Sequence, residues 1–147
     1  MDKKIRKAVR TYLIKDNKIV VINYKNHDIG YYDIPGGKIE KNETPEETSI
    51  REFKEETGIT ITKQHYIGHN TIEYPERMFD FKIYVVDDYI GEPNGFEENN
   101  SMWISIDDLY KEDKLFPSVE AIKYLKENMN LKIVCDCSHN IINIDEL

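Results

Sequence analysis

The 147-residue chain has few of the features that mark membrane-spanning or secreted proteins. No apolar run approaches the roughly 18 residues that a membrane-spanning helix needs, and no apolar stretch follows the basic start of the chain to make a secretion signal. Only two cysteines occur, Cys135 and Cys137, and their separation by one residue does not suggest a disulfide framework. We therefore expect a cytoplasmic protein in a reducing compartment, with no membrane partner.

The chain also has fewer basic residues than acidic ones, 20 against 28, so its formal net charge is −8. A charge of this sign repels a polyphosphate at long range, and no cluster of lysine or arginine marks a strip for a nucleic-acid backbone. We expect no stable complex with nucleic acid, and a phosphate-bearing ligand would need a cation beside it.

Two pairs of apolar runs predict hairpins. The runs at 8–14 and 19–22 lie on either side of the turn-forming Asp16-Asn17. The runs at 59–72 and 78–86 are separated by a segment with a proline, which favours a turn.

The rest of the chain completes a mixed fold of the α/β (α+β) class. A short strand is predicted at 102–104 and a helix at 118–130. The apolar residues along one side of that helix are Val119, Ile122, Leu125 and Met129. The last stretch, 140–147, is predicted to be a loosely held tail. With no repeat or internal linker, a single domain is expected over 1–147, as a monomer or homodimer.

A helix with clear boundaries is predicted to follow Thr44. This threonine is a good N-cap, Pro45 suits the first helical position, and Glu47 lies three residues past the cap, where it can complete a capping box. Gly58 ends the helix.

Three glutamates share one face of this helix. Glu52, Glu55 and Glu56 fall within an arc of about 100° at 3.6 residues per turn, and the adjacent stripe is expected to be buried. That stripe consists of Ile50, Phe53 and Thr57. Like charges at this spacing repel one another, so the acidic face is either solvated or neutralised by a cation, and Mg²⁺ or Mn²⁺ suits oxygen ligands.

The surrounding residues resemble the complete Nudix box. Gly37 is followed after five residues by Glu43, and after a further seven by the segment Arg51-Glu52-Phe53-Lys54-Glu55-Glu56-Thr57-Gly58-Ile59. All nine specified positions match over 23 residues, so the acidic face is interpreted as a metal site. The resemblance implies a Nudix α/β/α sandwich with a mixed β-sheet and a loop-helix-loop. It also implies hydrolysis of a nucleoside diphosphate linked to another group.

The same resemblance implies a role for each residue of the box. The implied metal ligands and catalytic residues are Glu52, Glu55 and Glu56, with one of them or a later glutamate taking a proton from water. Gly37 would leave room beside the metal, and Glu43 and Arg51 would form a structural ion pair. The cation would neutralise phosphate charge and orient water for attack on phosphorus, so no protein nucleophile is needed.

A wider resemblance points to the MutT-like branch, which removes oxidised nucleoside triphosphates. It covers the segment Ile34-Pro35-Gly36-Gly37-Lys38-Ile39-Glu40 and the second predicted hairpin. The resemblance implies that Arg77 lies near the nucleotide and that a glutamate after Gly91-Glu92-Pro93 completes the metal site. Glu97 fits that position best by spacing, with Glu98 as its rival.

One departure from that branch leaves the base open. The branch places an asparagine a few residues after a Phe-Pro pair, whereas Phe116-Pro117 is followed at that spacing by Glu120. A glutamate accepts hydrogen bonds but lacks the donor of an amide. Glu120 is a candidate substrate-binding residue, as are Arg77 and, in the loop before the box, His27 and Tyr32.

Two thiols and an imidazole lie close together near the end of the chain, at Cys135, Cys137 and His139. They could hold a soft metal, but the spacing is not a standard zinc pattern and no fourth ligand accompanies them. A segment that packs or frays is the expected state.

The leading functional hypothesis is an enzyme that releases a nucleoside monophosphate and pyrophosphate from a nucleoside triphosphate, with 8-oxo-dGTP as a candidate substrate. Removal of pyrophosphate from a 5′-triphosphorylated RNA end and cleavage of ADP-ribose or a nucleotide sugar are alternatives that use the same box with different loops. A nucleotide sensor that does not hydrolyse its ligand is a third reading, and the three intact box glutamates favour hydrolysis over it.

Overall fold

The computed structural model describes residues 3–24, 32–94 and 99–147. Its strands are β1 (Ile5–Tyr12), β2 (Ile14–Lys15), β3 (Lys18–Tyr24), β4 (Tyr32–Asp33), β5 (Gly36–Lys38), β6 (Thr60–Glu73), β7 (Met78–Ile90), β8 (Asn99–Ser105), β9 (Leu131–Cys135) and β10 (Ile141–Glu146). Its helices are α1 (Pro45–Thr57), α2 (Ile106–Leu109) and α3 (Pro117–Glu120), and a 3₁₀ turn at Ala121–Tyr124 continues α3.

A six-stranded sheet lies at the centre of the fold, in the order β10-β9-β6-β7-β1-β5. β1 runs parallel to β7 and β6 runs parallel to β9, while the other neighbours are antiparallel. A second sheet forms around β3, which pairs with β2, β4 and β8. The predicted mixed α and β fold is therefore confirmed. In the ranges described, no helix is long and apolar enough to cross a membrane.

Two apolar clusters hold these layers together. The main cluster joins both sheets to α2 and α3, and the fully buried Tyr12 donates a hydrogen bond within it from Oη to the carbonyl of Ser118, at 2.6 Å. The smaller cluster lies under α1. Its buried members are Leu13, Val20, Phe53, Ile59, Ile61 and Val86. Full burial of a side chain such as Phe53 contributes about 1.5–3 kcal/mol, so this residue anchors α1 to the sheets.

The first predicted hairpin is only partly correct. Asp16 and Asn17 form the predicted turn, with φ values of 53° and 61°, and these positive angles suit the two-residue turn that joins β2 to β3. β1, however, pairs with β7 and β5 in the six-stranded sheet. Residues 8–12 are buried on both faces except for the half-buried Arg10, so β1 lies inside the sheet, with other layers packed over both of its faces. The second predicted hairpin forms as β6 and β7, and the predicted short strand lies within β8.

The predicted helix at 118–130 is only partly correct, because α3 and the 3₁₀ turn cover just Pro117–Glu120 and Ala121–Tyr124. Helical structure stops at Tyr124, and Leu125 takes an extended conformation with ψ of 117°. Asn128 then adopts a left-handed φ of 63°, and the Met129 N–H donates to the carbonyl of Ile67 at 2.7 Å. Met129 has no exposed surface. The chain leaves the helix after Tyr124 because the buried contact between Met129 and Ile67 directs it into β9, which pairs with β6.

The last stretch, predicted to be a loose tail, is instead an ordered strand. β10 pairs antiparallel with β9, and the Leu147 N–H donates to the carbonyl of Asn130 at 2.8 Å. β9 itself was missing from the predicted elements. Paired backbone groups and the packing of Ile141 and Ile144 on the main cluster hold this segment in place.

The boundaries of α1 are those its capping residues predict. Thr44 Oγ1 accepts a hydrogen bond from the Glu47 N–H at 3.1 Å, and Glu47 Oε1 accepts one from the Thr44 N–H at 3.0 Å. At the other end Gly58 has a φ of 80°, and its N–H donates to the carbonyl of Lys54. A complete capping box and a left-handed glycine thus fix both ends of the helix.

We expect Thr44→Ala to lower the free energy of unfolding by about 1 kcal/mol, because it leaves the Glu47 N–H without its acceptor. Thr44→Ser keeps the oxygen and serves as the matched control, with stability close to that of the wild type. Urea unfolding followed by circular dichroism measures both variants. Equal stability of the alanine variant and the wild type would show that the cap contributes nothing.

Candidate active site

The buried face of α1 determines where its glutamates point. Its buried residues are Thr48, Ser49, Phe53 and Thr57. Ile50 is 41% exposed, so the prediction that it is buried is wrong. The buried face is centred between Ser49 and Phe53, so Ile50 lies about 80° away at one edge of it and Glu52 lies at the other edge. Glu56 lies nearer the centre of this face, while Glu55 points outward.

Polar contacts fasten this face to the sheet. Thr11 Oγ1 on β1 lies 2.7 Å from Ser49 Oγ, and Ser49 Oγ lies 2.6 Å from Gln64 Oε1 on β6. Buried hydroxyls that have partners avoid the cost of an unsatisfied polar group. Helix α1 is thereby held across β1 and β6, with its glutamates at the β5 edge of the sheet.

Glu52 and Glu56 lie directly against the glycines of β5. The Gly36 N–H donates to Glu56 Oε1 at 2.9 Å. A Cβ on Gly37 would lie 2.4 Å from Glu52 Cδ, so no larger residue fits there without moving the carboxylate. Glu55 has a side chain that is 58% exposed and lies at the rim of this group.

Arg51 connects the box residues to one another. Its Nε and Nη2 donate to the two carboxylate oxygens of Glu43 at 2.6 Å and 2.9 Å. Its Nη1 lies 3.0 Å from Glu52 Oε1 and 3.3 Å from Glu55 Oε2. These hydrogen bonds, with one from Thr48 Oγ1, lower the pKa of Glu43 to about 2. The two-bond geometry fixes the loop before α1 to the helix, in keeping with the structural role expected for this pair.

Burial raises the pKa of both inward-facing glutamates. The pKa of Glu56 is raised to about 8 by burial, and neighbouring Glu52 and Asp33 add to the rise while the Gly36 N–H and Arg10 oppose it. Burial also raises the pKa of Glu52, against the opposing influence of Arg51. Two adjacent carboxyl groups that resist ionisation in this way would gain from a nearby cation.

The residues at this edge fit a hard divalent cation. The available donors are carboxylate oxygens, which suit Mg²⁺ or Mn²⁺, and the missing side chain of Gly37 leaves space beside Glu52. Across the three described ranges, no three His, Cys, Asp or Glu side chains converge to form a ligand set by themselves. Glu97, the further predicted ligand, and its rival Glu98 lie outside the described residues. Glu52 and Glu56 are the residues that would hold the cation.

A cavity of about 560 Å³ adjoins Gly37 on β5. Its lining residues are Lys4, Ile5, Arg6, Lys7, Ala8, Arg10, Gly37, Lys38, Ile39, Phe79 and Phe81. Five of these are basic and none is acidic, so the cavity suits an anionic ligand. The prediction that no basic cluster marks a strip for a nucleic-acid backbone overlooked this set, because Arg6 and Arg10 are four residues apart on β1 and Lys38 is distant in sequence. The even spacing of Lys4, Arg6 and Arg10, which places them on one face of an extended segment, was the signal that could have revealed it.

A second cavity, of about 150 Å³, shares Arg10, Phe79 and Phe81 with the first. Arg10 Nη2 lies 3.7 Å from the buried Asp33 Oδ2, and burial raises the pKa of Asp33 although Arg10 opposes the rise. His139, from the segment between β9 and β10, forms part of the wall. Its Nδ1 lies 3.0 Å from Tyr74 Oη, and burial lowers its pKa, which favours the neutral ring. Sequence reasoning missed Arg10, Asp33 and His139 as site residues.

The remaining candidates lie in different places. Arg77 lines the smaller cavity, with its guanidinium 4.9 Å from the centroid of the Tyr74 ring. Tyr32 is half-buried and packs against the main apolar cluster. Glu120 forms an ion pair with Lys123 at 2.7 Å and lines a separate groove. His27 lies outside the described residues.

The late cysteines do not form a cluster with His139. Cys135 is buried in the main core and Cys137 is exposed, and both are free thiols. His139 faces Tyr74 and Phe116 instead. The packed segment expected for these residues is what the structure shows.

Carboxylates on a helix, two strand glycines and a basic cavity meet at one edge of the sheet, an arrangement that suits a hydrolase acting on phosphate anhydrides. A sequence model of the NUDIX domain matches residues 4–125, and the chain belongs to the Nudix hydrolase family. Residues 126–147, which include β9 and β10, lie beyond that match.

Known relatives agree with this assignment. The 8-oxo-dGTP diphosphatase of Escherichia coli (strain K12) is 35% identical over 115 residues, which make up 76% of this chain and 88% of that protein. The 8-oxo-dGTP diphosphatase of Haemophilus influenzae is 38% identical over 72 residues, 49% of this chain and 53% of that protein, so this match spans about half of the relative. The crystal structure of a MutT protein from Bacillus halodurans has a TM-score of 0.80 at 15% identity, covering 95% of this chain and 96% of that one, and shows the shared fold.

The raised pKa of Glu56 predicts a pH-dependent stability in metal-free buffer. The folded state holds the proton up to a pKa of about 8, whereas the unfolded state releases it near pH 4.3. The stability that this group contributes is therefore complete below about pH 4 and is lost as the pH rises through about 8. Glu56→Gln lacks the titration. We expect its stability relative to the wild type to rise by on the order of 4 kcal/mol between pH 5 and pH 9.

Urea unfolding of both proteins at the two pH values, with and without Mg²⁺, measures this difference. Added Mg²⁺ should restore the wild type at pH 9 and leave Glu56→Gln unaffected. Parallel stability profiles for the two proteins would contradict the assignment of a buried titrating carboxyl to Glu56.

Proposed function

We propose that the protein hydrolyses a nucleoside triphosphate or a related nucleotide at a diphosphate linkage, with Mg²⁺ or Mn²⁺ as its cofactor. The observation that carries this proposal is the position of Glu52 and Glu56 against Gly36 and Gly37, next to the basic cavity. Carboxylates for a cation and basic side chains for phosphate oxygens thus meet at one edge of the sheet.

Different residues would bind the cation, bind the phosphate and accept the proton. Glu52 and Glu56 would hold the cation, with Glu55 at the rim and Glu97 as a further proposed ligand. The cation, when bound, neutralises phosphate charge and lowers the pKa of water. Lys38, which lines the basic cavity, would bind phosphate oxygens. Water attacks phosphorus, the bond to the departing phosphate oxygen breaks, and a carboxylate of α1 accepts the proton of the water.

The names of the relatives support 8-oxo-dGTP as the first candidate substrate. Arg77 is a proposed nucleotide contact because it lines the smaller cavity, where Asp33 could accept hydrogen bonds from a base. Glu120 is less suited to that role, because its carboxylate pairs with Lys123 outside this cavity. Tyr32 and His27 stay candidates, and a cytoplasmic location and a monomeric or dimeric state stay predictions.

Phosphate release, with and without added pyrophosphatase, tests the proposal on 8-oxo-dGTP, the ordinary triphosphates and 5′-triphosphorylated RNA. For ADP-ribose, added alkaline phosphatase releases phosphate from the two phosphomonoesters that its cleavage yields. Pyrophosphatase-dependent release from one triphosphate would support pyrophosphate as the product. Activity confined to ADP-ribose or RNA would select that alternative instead. Nucleotide binding without any hydrolysis would favour the sensor and contradict the proposal.

Separate replacement of Glu52, Glu55 and Glu56 by Gln should lower kcat by at least about a hundredfold while the fold persists, since each removes a charged oxygen donor from the metal site. Mg²⁺ affinity, measured by titration calorimetry, should fall most for the inward-facing Glu52 and Glu56. Glu40→Gln is the matched control, because Glu40 is exposed in the loop before α1 and should leave kcat unchanged. A fully active Glu56→Gln would contradict the proposed site.

A further inference from the structure

The turn that joins β9 to β10 places His139 in the wall of the smaller cavity. The Asp136 carboxylate holds this turn, because it accepts hydrogen bonds from two backbone N–H groups within it, at 2.9 Å each. His139 itself has a left-handed φ of 66°, which is uncommon for a residue other than glycine. The turn thus keeps the imidazole against the Tyr74 ring, with centroids 5.1 Å apart.

Tyr74 determines which nitrogen of the imidazole carries the proton. Burial raises the pKa of Tyr74 to about 12, so the phenol stays protonated at neutral pH. Among the described residues, the acceptor within reach of its O–H is His139 Nδ1, 3.0 Å from Tyr74 Oη. Burial lowers the pKa of His139, so its ring is neutral and has a single N–H. Because Nδ1 accepts from the phenol, that N–H lies on Nε2.

Two nitrogen donors at this cavity have no hydrogen-bond partner in the ranges described. One is His139 Nε2, since the hydrogen bond of this ring is formed by Nδ1. The other is Arg10 Nε, which is buried. A donor that is withdrawn from water without an acceptor costs about 1–3 kcal/mol. A ligand that brings an acceptor into the cavity would therefore bind favourably.

The walls of the cavity suit a flat ring. Besides His139, the lining residues with aromatic rings are Tyr74, Phe79, Phe81 and Phe116. Phe79 and Phe81 stack on each other, with centroids 5.3 Å apart and planes 11° apart. A cavity of about 150 Å³ has room for one six-membered ring. The base is the part of a nucleotide that matches this shape.

Asp33 supplies an acceptor in the same cavity. Its Oδ1 accepts a hydrogen bond from the Ile34 N–H at 2.8 Å, and its Oδ2 lies 3.7 Å from Arg10 Nη2, beyond hydrogen-bond distance. Burial raises the pKa of Asp33, and Arg10 opposes that rise by favouring the ionised form, which only accepts hydrogen bonds. The cavity therefore offers a donor from His139 and an acceptor from Asp33.

We propose that His139 is a specificity-determining residue, which donates a hydrogen bond from Nε2 to a carbonyl oxygen of the substrate's base. With Asp33 accepting from the adjacent ring N–H, the cavity favours a base edge that has a carbonyl beside an N–H. An edge with an amino group beside an unprotonated nitrogen would set donor against donor and acceptor against acceptor. The inference rests on the proposed function, because it takes a nucleotide into the site.

Calorimetric binding of α,β-methylene triphosphates in the presence of Mg²⁺ tests the inference, because these analogues resist cleavage between the α and β phosphates. The matched pairs are inosine against adenosine and uridine against cytidine, which differ at this edge of the base. The carbonyl member of at least one pair should bind about tenfold tighter. His139→Phe should reduce that ratio to near one. Tyr74→Phe should also reduce it, because the ring is then free to carry its proton on either nitrogen.

Cys137→Ser is the matched control, since this exposed thiol lies in the same turn but is not among the residues that line the cavity, and it should keep the ratio. Inorganic triphosphate, which has no base, should bind the wild type and all three variants equally. A wild-type ratio near one for both pairs, or a ratio that survives in His139→Phe or Tyr74→Phe, would overturn the inference. A parallel loss of triphosphate binding in those two variants would do the same, because it shows a structural effect. A preference that depends on His139, without hydrolysis of any ordinary triphosphate, would support the contact and refute the proposed function.

Discussion

The close approach of α1 to β5 is the constraint on which the rest of the site depends. A side chain on Gly37 would meet the Glu52 carboxylate, and the Gly36 N–H bonds directly to Glu56. The helix therefore packs with these two glutamates turned toward the strand rather than toward water. Burial raises the pKa of both groups, so ionising them together requires a neighbouring positive charge. The packing of the helix creates the need for the cation that catalysis would use.

The net charge of −8 does not show that the site has an acidic side, on α1, and a basic side, in the cavity. On β1, Thr11 faces Ser49 on the acidic helix, whereas Arg6 and Arg10 face the phenylalanines of β7. The alternation of side chains along a strand thus places the acidic helix on one face of the sheet and the basic cavity on the other. A nucleotide at the β5 edge would contact both, so local arrangement rather than total charge decides whether phosphate can bind.

Features encoded by adjacent residues could be predicted from the sequence. Thr44 with Glu47 fixes the start of α1, and Asp16-Asn17 fixes a two-residue turn, because the hydrogen bonds and backbone angles involved are local. The end of the predicted helix at 118–130 could not be predicted in this way. It depends on the hydrogen bond between Met129 and Ile67, a residue of β6 that is distant in sequence. Ile50 fits an apolar stripe by periodicity, and only the docking angle of α1 leaves it exposed.

The candidate site also combines residues that a short sequence motif reveals with residues that only the fold brings together. The box glutamates follow from a short motif, whereas His139 reaches the smaller cavity through a contact with Tyr74, 65 residues away in sequence. His139 also lies beyond residues 4–125, the part that matches the NUDIX domain, on the segment joining β9 to β10. The proposed reaction would therefore depend on a compact helix and loop, while the cavity walls come from strands and the segment that joins β9 to β10. Because these walls can change without disturbing the helix, the motif defines the chemistry of the family but leaves the substrate to the residues around it.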